Sequence, residues 1–218
     1  MKREKQILDT IYHNLRLVNI GEDPKCQAAV MCIAQHLTNP DGNYNALLQY
    51  LDYYGKKFLA PRVCDIARNL FADKTIIVEF GAGTGWFGGM IADKLNAKYI
   101  PTDKRPWSSS TLTIDLETEL GVEKSNFEGR SEVLVVMVDL LHCISPAWRN
   151  RLYENLRKVD FIVAEYSPKS PTQRASYNKQ IEAKGCFRFS PNELGLWVRT
   201  ARDIRVGQYL VVTHKKEG

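Results

Sequence analysis

The segment from Thr75 to Gly88 constrains the fold more than any other part of the chain. An apolar, β-branched run is followed by the acid Glu79, and an amphipathic helical pattern later continues to Leu95. Between them lie glycines 81, 83 and 85. This order predicts a strand, a tight turn and a helix. Glycines allow positive φ and close approach of a ligand, and the helix directs its unpaired N–H groups at the turn. The segment therefore predicts a nucleotide-type cofactor loop.

Three kinds of cofactor compete for such a loop. A phosphate-binding P-loop needs Gly-Lys-Ser/Thr after the turn, but no lysine occurs between Lys74 and Lys94, which disfavours ATP and GTP. A dinucleotide site needs GxGxxG, and the residues from Gly83 to Gly88 match that string. However, a carboxylate at Glu79 would repel a pyrophosphate and suits a cofactor that carries an ammonium and a sulfonium.

The residues Glu79-Phe-Gly81-Ala82-Gly83-Thr-Gly85 resemble the first motif, (D/E)xGxGxG, of the class I S-adenosylmethionine-dependent methyltransferases. The resemblance implies that S-adenosylmethionine is the cofactor. It also implies that five of these residues contribute to the cofactor site, namely Glu79, Gly81, Ala82, Gly83 and Gly85. A dinucleotide oxidoreductase remains the alternative for this loop.

Two further acids are candidate cofactor ligands. Lys98 to Asp103 is a short strand that ends in an acid about twenty residues beyond the glycines, where a carboxylate accepts hydrogen bonds from ribose hydroxyls. In the same family pattern an acid after the third strand lies near the adenine amino group, and Asp115 occupies that place. Each aspartate is also compatible with an ordinary turn or helix cap.

The remaining pattern predicts an α/β protein with a Rossmann-like, doubly wound sheet that is mostly parallel with an antiparallel last strand. The most apolar run, Val133 to Val138, is typical of a central parallel strand buried on both faces. Residues 1–72 predict helices, the fourth of them beginning at Pro61, and we interpret them as an N-terminal lid. Residues 73–218 then form the cofactor-binding domain. A structural helical layer is the alternative to a lid.

Candidate catalytic residues follow the fourth and fifth predicted strands, at the sheet edge where open α/β sheets bind ligands. They are Asp139, His142 and Glu165. An activated methyl group needs an aligned nucleophile and, for a hydroxyl or ammonium acceptor, a base. The pKa range of histidine makes His142 the first choice for that base. Asp139 is alternatively a ligand of the substrate or of the cofactor amine.

The acceptor class is open between small molecules and RNA. Base-directed enzymes carry (D/N)PP(Y/F/W) after the fourth strand, whereas this chain has Asp139-Leu-Leu-His142. Ribose 2′-O-methyltransferases carry a Lys-Asp-Lys-Glu tetrad, and Lys57 and Asp139 match its first two positions. The third and fourth positions fall near Glu165 and Gln208, which do not match the required Lys and Glu. We therefore expect a small-molecule acceptor, with an RNA (ribose or cap) methyltransferase or a non-catalytic cofactor-binding partner subunit as alternatives.

Composition excludes several other classes. The 218 residues carry a net charge of +5 that is spread along the chain, which allows RNA binding without requiring it. The five cysteines form no CxxC and no Cys/His ligand cluster along the sequence, so we expect reduced core thiols in a cytoplasmic protein and no metal site. No apolar stretch predicts a signal peptide or a membrane span. The oligomeric state does not follow from the sequence.

Overall fold

The structure is a computed structural model that describes most of the chain from Leu59 onwards. The described residues are 59–83, 85–104, 109–183, 185–188, 194 and 201–216. Of the lid predicted over residues 1–72, residues 1–58 lie outside them, with Lys57, Cys26 and Cys32.

Among the described residues, seven strands form one sheet. They are β1 (Ile76–Phe80), β2 (Lys98–Asp103), β3 (Leu112–Thr113), β4 (Val133–Val138), β5 (Asp160–Tyr166), β6 (Arg202–Val206) and β7 (Tyr209–His214). Their order across the sheet is β3-β2-β1-β4-β5-β7-β6. The pairs from β3 to β5 are parallel, and β7 runs antiparallel to both of its neighbours. This confirms the predicted Rossmann-like α/β class and its antiparallel last strand.

Helices cover both faces of the sheet. They are α1 (Leu59–Leu70), α2 (Trp86–Leu95), α3 (Glu119–Lys124), α4 (Pro146–Leu156) and α5 (Pro171–Ala183), with a short 3₁₀ helix at Leu141–Cys143. The helix predicted from Pro61 begins at Leu59. In the part of the β2–β3 connection that is described, Lys104 and residues 109–111 are not helical.

Two apolar cores lie on opposite faces of the sheet. One contains Val78 and Phe80 of β1 with residues of α4, and the other contains Ile77 with residues of α1 and α2. Successive side chains of a strand point to opposite faces, which explains the division. All six residues of β4 are buried, as expected for a central parallel strand. None of the described helices is both long and apolar enough to cross a bilayer.

Candidate functional site

The glycine turn joins β1 to α2 at the carboxyl edge of the sheet. Gly81, Gly83 and Gly85 have φ values of 63°, 52° and 78°, which few side chains tolerate. A Cβ at position 81 would lie 2.5 Å from Leu140 Cδ1, whereas position 83 has no neighbouring atom within 4 Å. Ala82 donates its N–H to the carbonyl of Thr102 at 2.9 Å, so the turn is tied to β2. The turn thus has the conformation that the glycine spacing predicts.

Glu79 lies beneath this turn and is only 2% exposed. Its Oε2 accepts the hydroxyl hydrogen of Tyr99 and the N–H of Gly88, the latter at 3.1 Å. The side chain shares a face of β1 with Ile77, and that face is covered by α2. The structure therefore places this carboxylate between β1, β2 and α2. Tyr99 was not predicted as part of the site, because its only signal in the sequence is its place on β2 beside the predicted turn.

Asp103 ends β2 beside the same turn. Its Oδ2 accepts the N–H of Gly83 at 3.0 Å, which fixes the aspartate against the loop. Asp103 is also part of the wall of an open cavity of about 230 Å³. The cavity is lined by Gly81, Asp103, Lys104, Ile114, Asp115, Leu116, Glu117, Asp139, Leu140, Cys143 and Ile144. Four predicted cofactor residues, Gly81, Asp103, Asp115 and Asp139, therefore meet at one cavity.

Asp115 and Asp139 both line this cavity, and each carboxylate also accepts hydrogen bonds from other groups of the protein. Asp115 is exposed, and its Oδ1 accepts the N–H of Glu117 at 2.9 Å, as in an Asx turn. Asp139 has a left-handed φ of 51°. Its Oδ1 accepts the N–H of Tyr166 and its Oδ2 accepts the hydroxyl of Tyr209, both at 3.0 Å. The geometry of Asp139 is thus set from β5 and β7.

His142 and Glu165 form a second polar pair behind Asp139. Nδ1 of His142 lies 3.1 Å from Oε2 of Glu165, which is buried at the end of β5. Oε1 of Glu165 accepts the N–H groups of Leu140 and Leu141 at 2.9 and 2.7 Å. The carboxylate therefore fixes both the imidazole and the backbone after β4. The structure brings together the three predicted catalytic residues, Asp139, His142 and Glu165.

The pKa of His142 is raised to about 10. Burial opposes this shift, but hydrogen bonds to Cys143 and Glu165 and the charge of Glu165 outweigh it. The pKa of the Cys143 thiol is lowered: burial acts to raise it, and the hydrogen bond to His142 and its charge overcome that effect. A histidine with such a pKa is protonated at neutral pH. This favours His142 as a hydrogen-bond donor or a positive charge over the expected general base.

The cysteines depart from the sequence prediction. Cys64 is buried in α1 as expected, but Cys143 is exposed and Cys186 is half-buried. The Sγ atoms of Cys143 and Cys186 lie 3.9 Å apart, beside His142. The expectation of core thiols without a Cys/His cluster is therefore wrong for these two residues. Cys143 and Cys186 are far apart along the sequence, so no spacing motif predicted that their side chains lie together.

Comparison with known proteins gives the fold. No protein-family model and no curated protein matches the sequence. Solved structures do match: an O-methyltransferase family protein from Burkholderia thailandensis is 10% identical, with a TM-score of 0.55 over 73% of this chain and 57% of its own. PigF with SAH is 18% identical, with a TM-score of 0.53 over 84% and 62% of the two chains. The mitomycin 7-O-methyltransferase MmcR is 12% identical, with a TM-score of 0.51 over 89% and 69%.

These likenesses establish the architecture. The chain has the fold of the class I S-adenosylmethionine-dependent methyltransferases, as its glycine motif predicted. It spans 57% and 62% of the lengths of the first two structures named above.

Proposed function

We propose that the protein is an S-adenosylmethionine-dependent methyltransferase that transfers a methyl group to an oxygen or nitrogen of a small-molecule acceptor. One observation carries the proposal. On a methyltransferase fold, Gly81 of the left-handed glycine turn and the predicted carboxylates Asp103, Asp115 and Asp139 line one cavity at the carboxyl edge of the sheet.

The charge of the cavity wall suits this cofactor. Four carboxylates, those of Asp103, Asp115, Glu117 and Asp139, line the cavity, and Lys104 is the one cation among its described lining residues. Such a wall attracts an ammonium and a sulfonium and repels a pyrophosphate. This supports S-adenosylmethionine over the dinucleotide alternative.

Each part of the wall has a proposed partner on the cofactor. Asp103 would hold the ribose hydroxyls, and Asp115 would lie near the adenine amino group. The backbone at Gly81, Gly83 and Gly85 would approach the cofactor without a Cβ in the way. Asp139 would hold the cofactor amine or the acceptor. The apolar side chains Ile114, Leu116, Leu140 and Ile144 of the same wall suit the faces of a ring.

On the acceptor side, Asp139, His142 and Glu165 are the proposed catalytic residues. The bound cofactor would supply a methyl group already activated on sulfur, so the residues of this chain have mainly to align the acceptor. Protonated His142, fixed by Glu165, would donate a hydrogen bond to an acceptor oxygen or stabilise its negative charge. We expect His142→Asn to lower turnover more than cofactor affinity.

The names of the structural neighbours support a small-molecule acceptor. Two of them are called O-methyltransferases, and one of these names mitomycin as its substrate. Nothing among the described residues favours the RNA or partner-subunit alternatives. Lys57, the first member of the ribose-directed tetrad, lies outside the described residues.

The first test is calorimetric titration with S-adenosylmethionine, S-adenosylhomocysteine and NADH. We expect the first two to bind and NADH to give no heat. Gly83→Val and Gly207→Val form a matched pair, because both glycines have positive φ (52° and 58°) and no atom within 4 Å of an added Cβ. Only the first lies in the cofactor turn, so only the first should lose binding.

Normal S-adenosylmethionine affinity in Gly83→Val would reject the loop assignment. Transfer of labelled methyl from the cofactor to a panel of small hydroxyl and amine compounds then tests the reaction. Cofactor binding without transfer to any acceptor, RNA included, would favour the non-catalytic subunit.

A further inference from the structure

Cys143, Cys186 and His142 form a compact cluster of metal-binding side chains. One ligand atom from each lies within 4.8 Å of the others. Two of the residues belong to the 3₁₀ helix after β4, and Cys186 belongs to the segment after α5. Two thiolates and one imidazole are the ligand types that a soft or borderline divalent metal prefers.

Contacts that do not involve the thiols hold the two segments together. Phe187 donates its N–H to the carbonyl of His142 at 2.7 Å. The guanidinium of Arg149, which is 2% exposed, donates to the carbonyl of Arg188 at 3.0 and 3.1 Å. It also donates to the carbonyl of Leu141 at 3.4 Å. Backbone groups of the two residues that follow Cys186 are therefore tied to the 3₁₀ helix and to Arg149, and these contacts place Cys186 beside Cys143.

We propose that this cluster is a zinc site, in which Cys143, Cys186 and His142 bind one Zn²⁺. Tetrahedral zinc with Zn–S bonds of about 2.3 Å places two sulfurs about 3.8 Å apart. The sulfurs here are 3.9 Å apart. A disulfide would require them to approach to about 2.05 Å. The thiol pair thus already has the separation of zinc ligands, and a ring nitrogen of His142 lies within 4.8 Å of both sulfurs.

Glu165 completes the site as the partner of the metal-binding histidine. Histidines that bind metals commonly donate their second ring N–H to a carboxylate, which fixes the tautomer and the ring orientation. Oε2 of Glu165 lies 3.1 Å from Nδ1 of His142, and the carboxylate is itself held by two backbone N–H groups. With Nδ1 as the donor to Glu165, Nε2 carries the lone pair that binds the metal.

The proposed zinc site lies at the wall of the proposed cofactor cavity. Cys143 also lines the proposed cofactor cavity, so a metal bound to its sulfur lies at the cavity wall. Three protein ligands leave one tetrahedral position open, as in catalytic zinc sites, where water or a substrate atom occupies it. The open position would suit an oxygen or sulfur ligand. Zinc binding does not require methyl transfer, but a zinc-bound His142 is neutral, so in the metal-loaded protein the zinc ion would replace the protonated imidazole as the positive charge at this wall.

Metal binding by the full chain, kept reduced with a phosphine, tests the proposal directly. Zn²⁺ is titrated against a chromophoric chelator, and Co²⁺ is used as an absorbing substitute. We expect one equivalent more metal in wild type than in Cys143→Ser or Cys186→Ser. We also expect thiolate-to-cobalt charge-transfer absorption that both variants lose. Cys64→Ala is the matched control, because Cys64 lies in α1 away from the cluster and should leave metal binding unchanged.

The variant Glu165→Gln distinguishes a zinc site that uses the oriented His142 from zinc bound by the two thiols alone. We expect it to weaken zinc affinity by about 10- to 100-fold, because the amide orients the imidazole less well and does not increase its basicity. Equal zinc content in wild type and both Cys→Ser variants would overturn the proposal. So would a fully reduced wild-type chain that takes up no zinc or cobalt, even if Cys143 and Cys186 oxidise to a disulfide in air.

Discussion

The carboxylate of Glu79 accepts the hydroxyl hydrogen of Tyr99, and this pair links β1 to β2 beneath the glycine turn. The same oxygen accepts the N–H of Gly88 in α2 at 3.1 Å. Burial first, and then the negative charge of Glu79, raise the pKa of the Tyr99 phenol far above its ordinary value. Tyr99 therefore remains a proton donor over the whole neutral range, and three elements meet at one buried oxygen.

Tyr99→Phe should destabilise the fold by about 1–3 kcal/mol, because it removes a donor from a buried carboxylate. Urea denaturation measures the loss. The control is a double-mutant cycle with Glu79→Gln, since removal of the hydroxyl should cost less when its partner is neutral. Strict additivity of the two substitutions would show that the pair contributes no coupling energy.

Gly88→Ala and Gly89→Ala should have opposite effects on stability, although both lie in α2. An added methyl group at 88 would lie 2.5 Å from Glu79 Oε2 and 2.6 Å from Tyr99 Cε2. Forcing these groups apart should cost about 1–3 kcal/mol. At 89 the nearest atoms are 3.9 Å away, so Ala should stabilise the helix by about 0.5–1 kcal/mol. Equal unfolding midpoints in urea would contradict the close packing at 88.

Asp103→Ala should weaken S-adenosylmethionine binding by about 1–3 kcal/mol through lost charge-assisted hydrogen bonds. Because Asp103 also holds the N–H of Gly83, a loosened turn contributes to this loss. Asp103→Asn keeps an acceptor for Gly83 without the charge, so its affinity should lie between those of wild type and Asp103→Ala. Calorimetry gives the three dissociation constants. An unchanged value for Asp103→Ala would leave the residue with a structural role alone.

Much of the fold follows from local sequence because the decisive signals are local. The glycine turn needs positive φ within five residues, and a wholly apolar run such as Val133 to Val138 fits only a strand buried on both faces. Parallel strands end at one edge of a sheet, and the two acids predicted at the ends of such strands, Asp103 and Asp139, line one cavity.

The details that sequence missed depend on contacts between distant segments. Cys143 and Cys186 meet because Arg149 and Phe187 fix two segments against each other, and no spacing rule contains that information. The direction of the Glu79 side chain was accessible in principle, since Glu79 lies two residues after Ile77 on β1 and so points to the same face of the sheet. The burial of Glu79 could not be predicted, because it depends on which helix covers that face of β1, and this is determined only when the helices pack on the sheet.

Lys74→Met should destabilise the fold by about 3–5 kcal/mol, because it leaves the carboxylate of Asp160 buried without its cation. Lys74 and Asp160 are 4% and 7% exposed, and their charged atoms lie 2.5 Å apart. Lys158→Met is the matched control, since Lys158 pairs at 2.9 Å with the exposed Glu128 and should contribute less than about 1 kcal/mol. Similar losses of unfolding free energy in the two variants would contradict the expectation that the buried ion pair contributes more than the exposed one.

The same pair predicts a loss of stability in strong alkali. Burial lowers the pKa of Lys74, but its bonds to Asp160 and Asp73 outweigh that effect, so the pKa lies above its ordinary value. A raised pKa in the folded state stabilises the protein fully below the unfolded value of about 10.4, and this contribution is lost as pH rises through the folded value. Urea denaturation gives the free energy of unfolding of wild type and of Lys74→Met. The difference between the two proteins should therefore be smaller at about pH 11 than at about pH 8. A difference that stays constant would mean that Lys74 has an ordinary pKa in the folded protein.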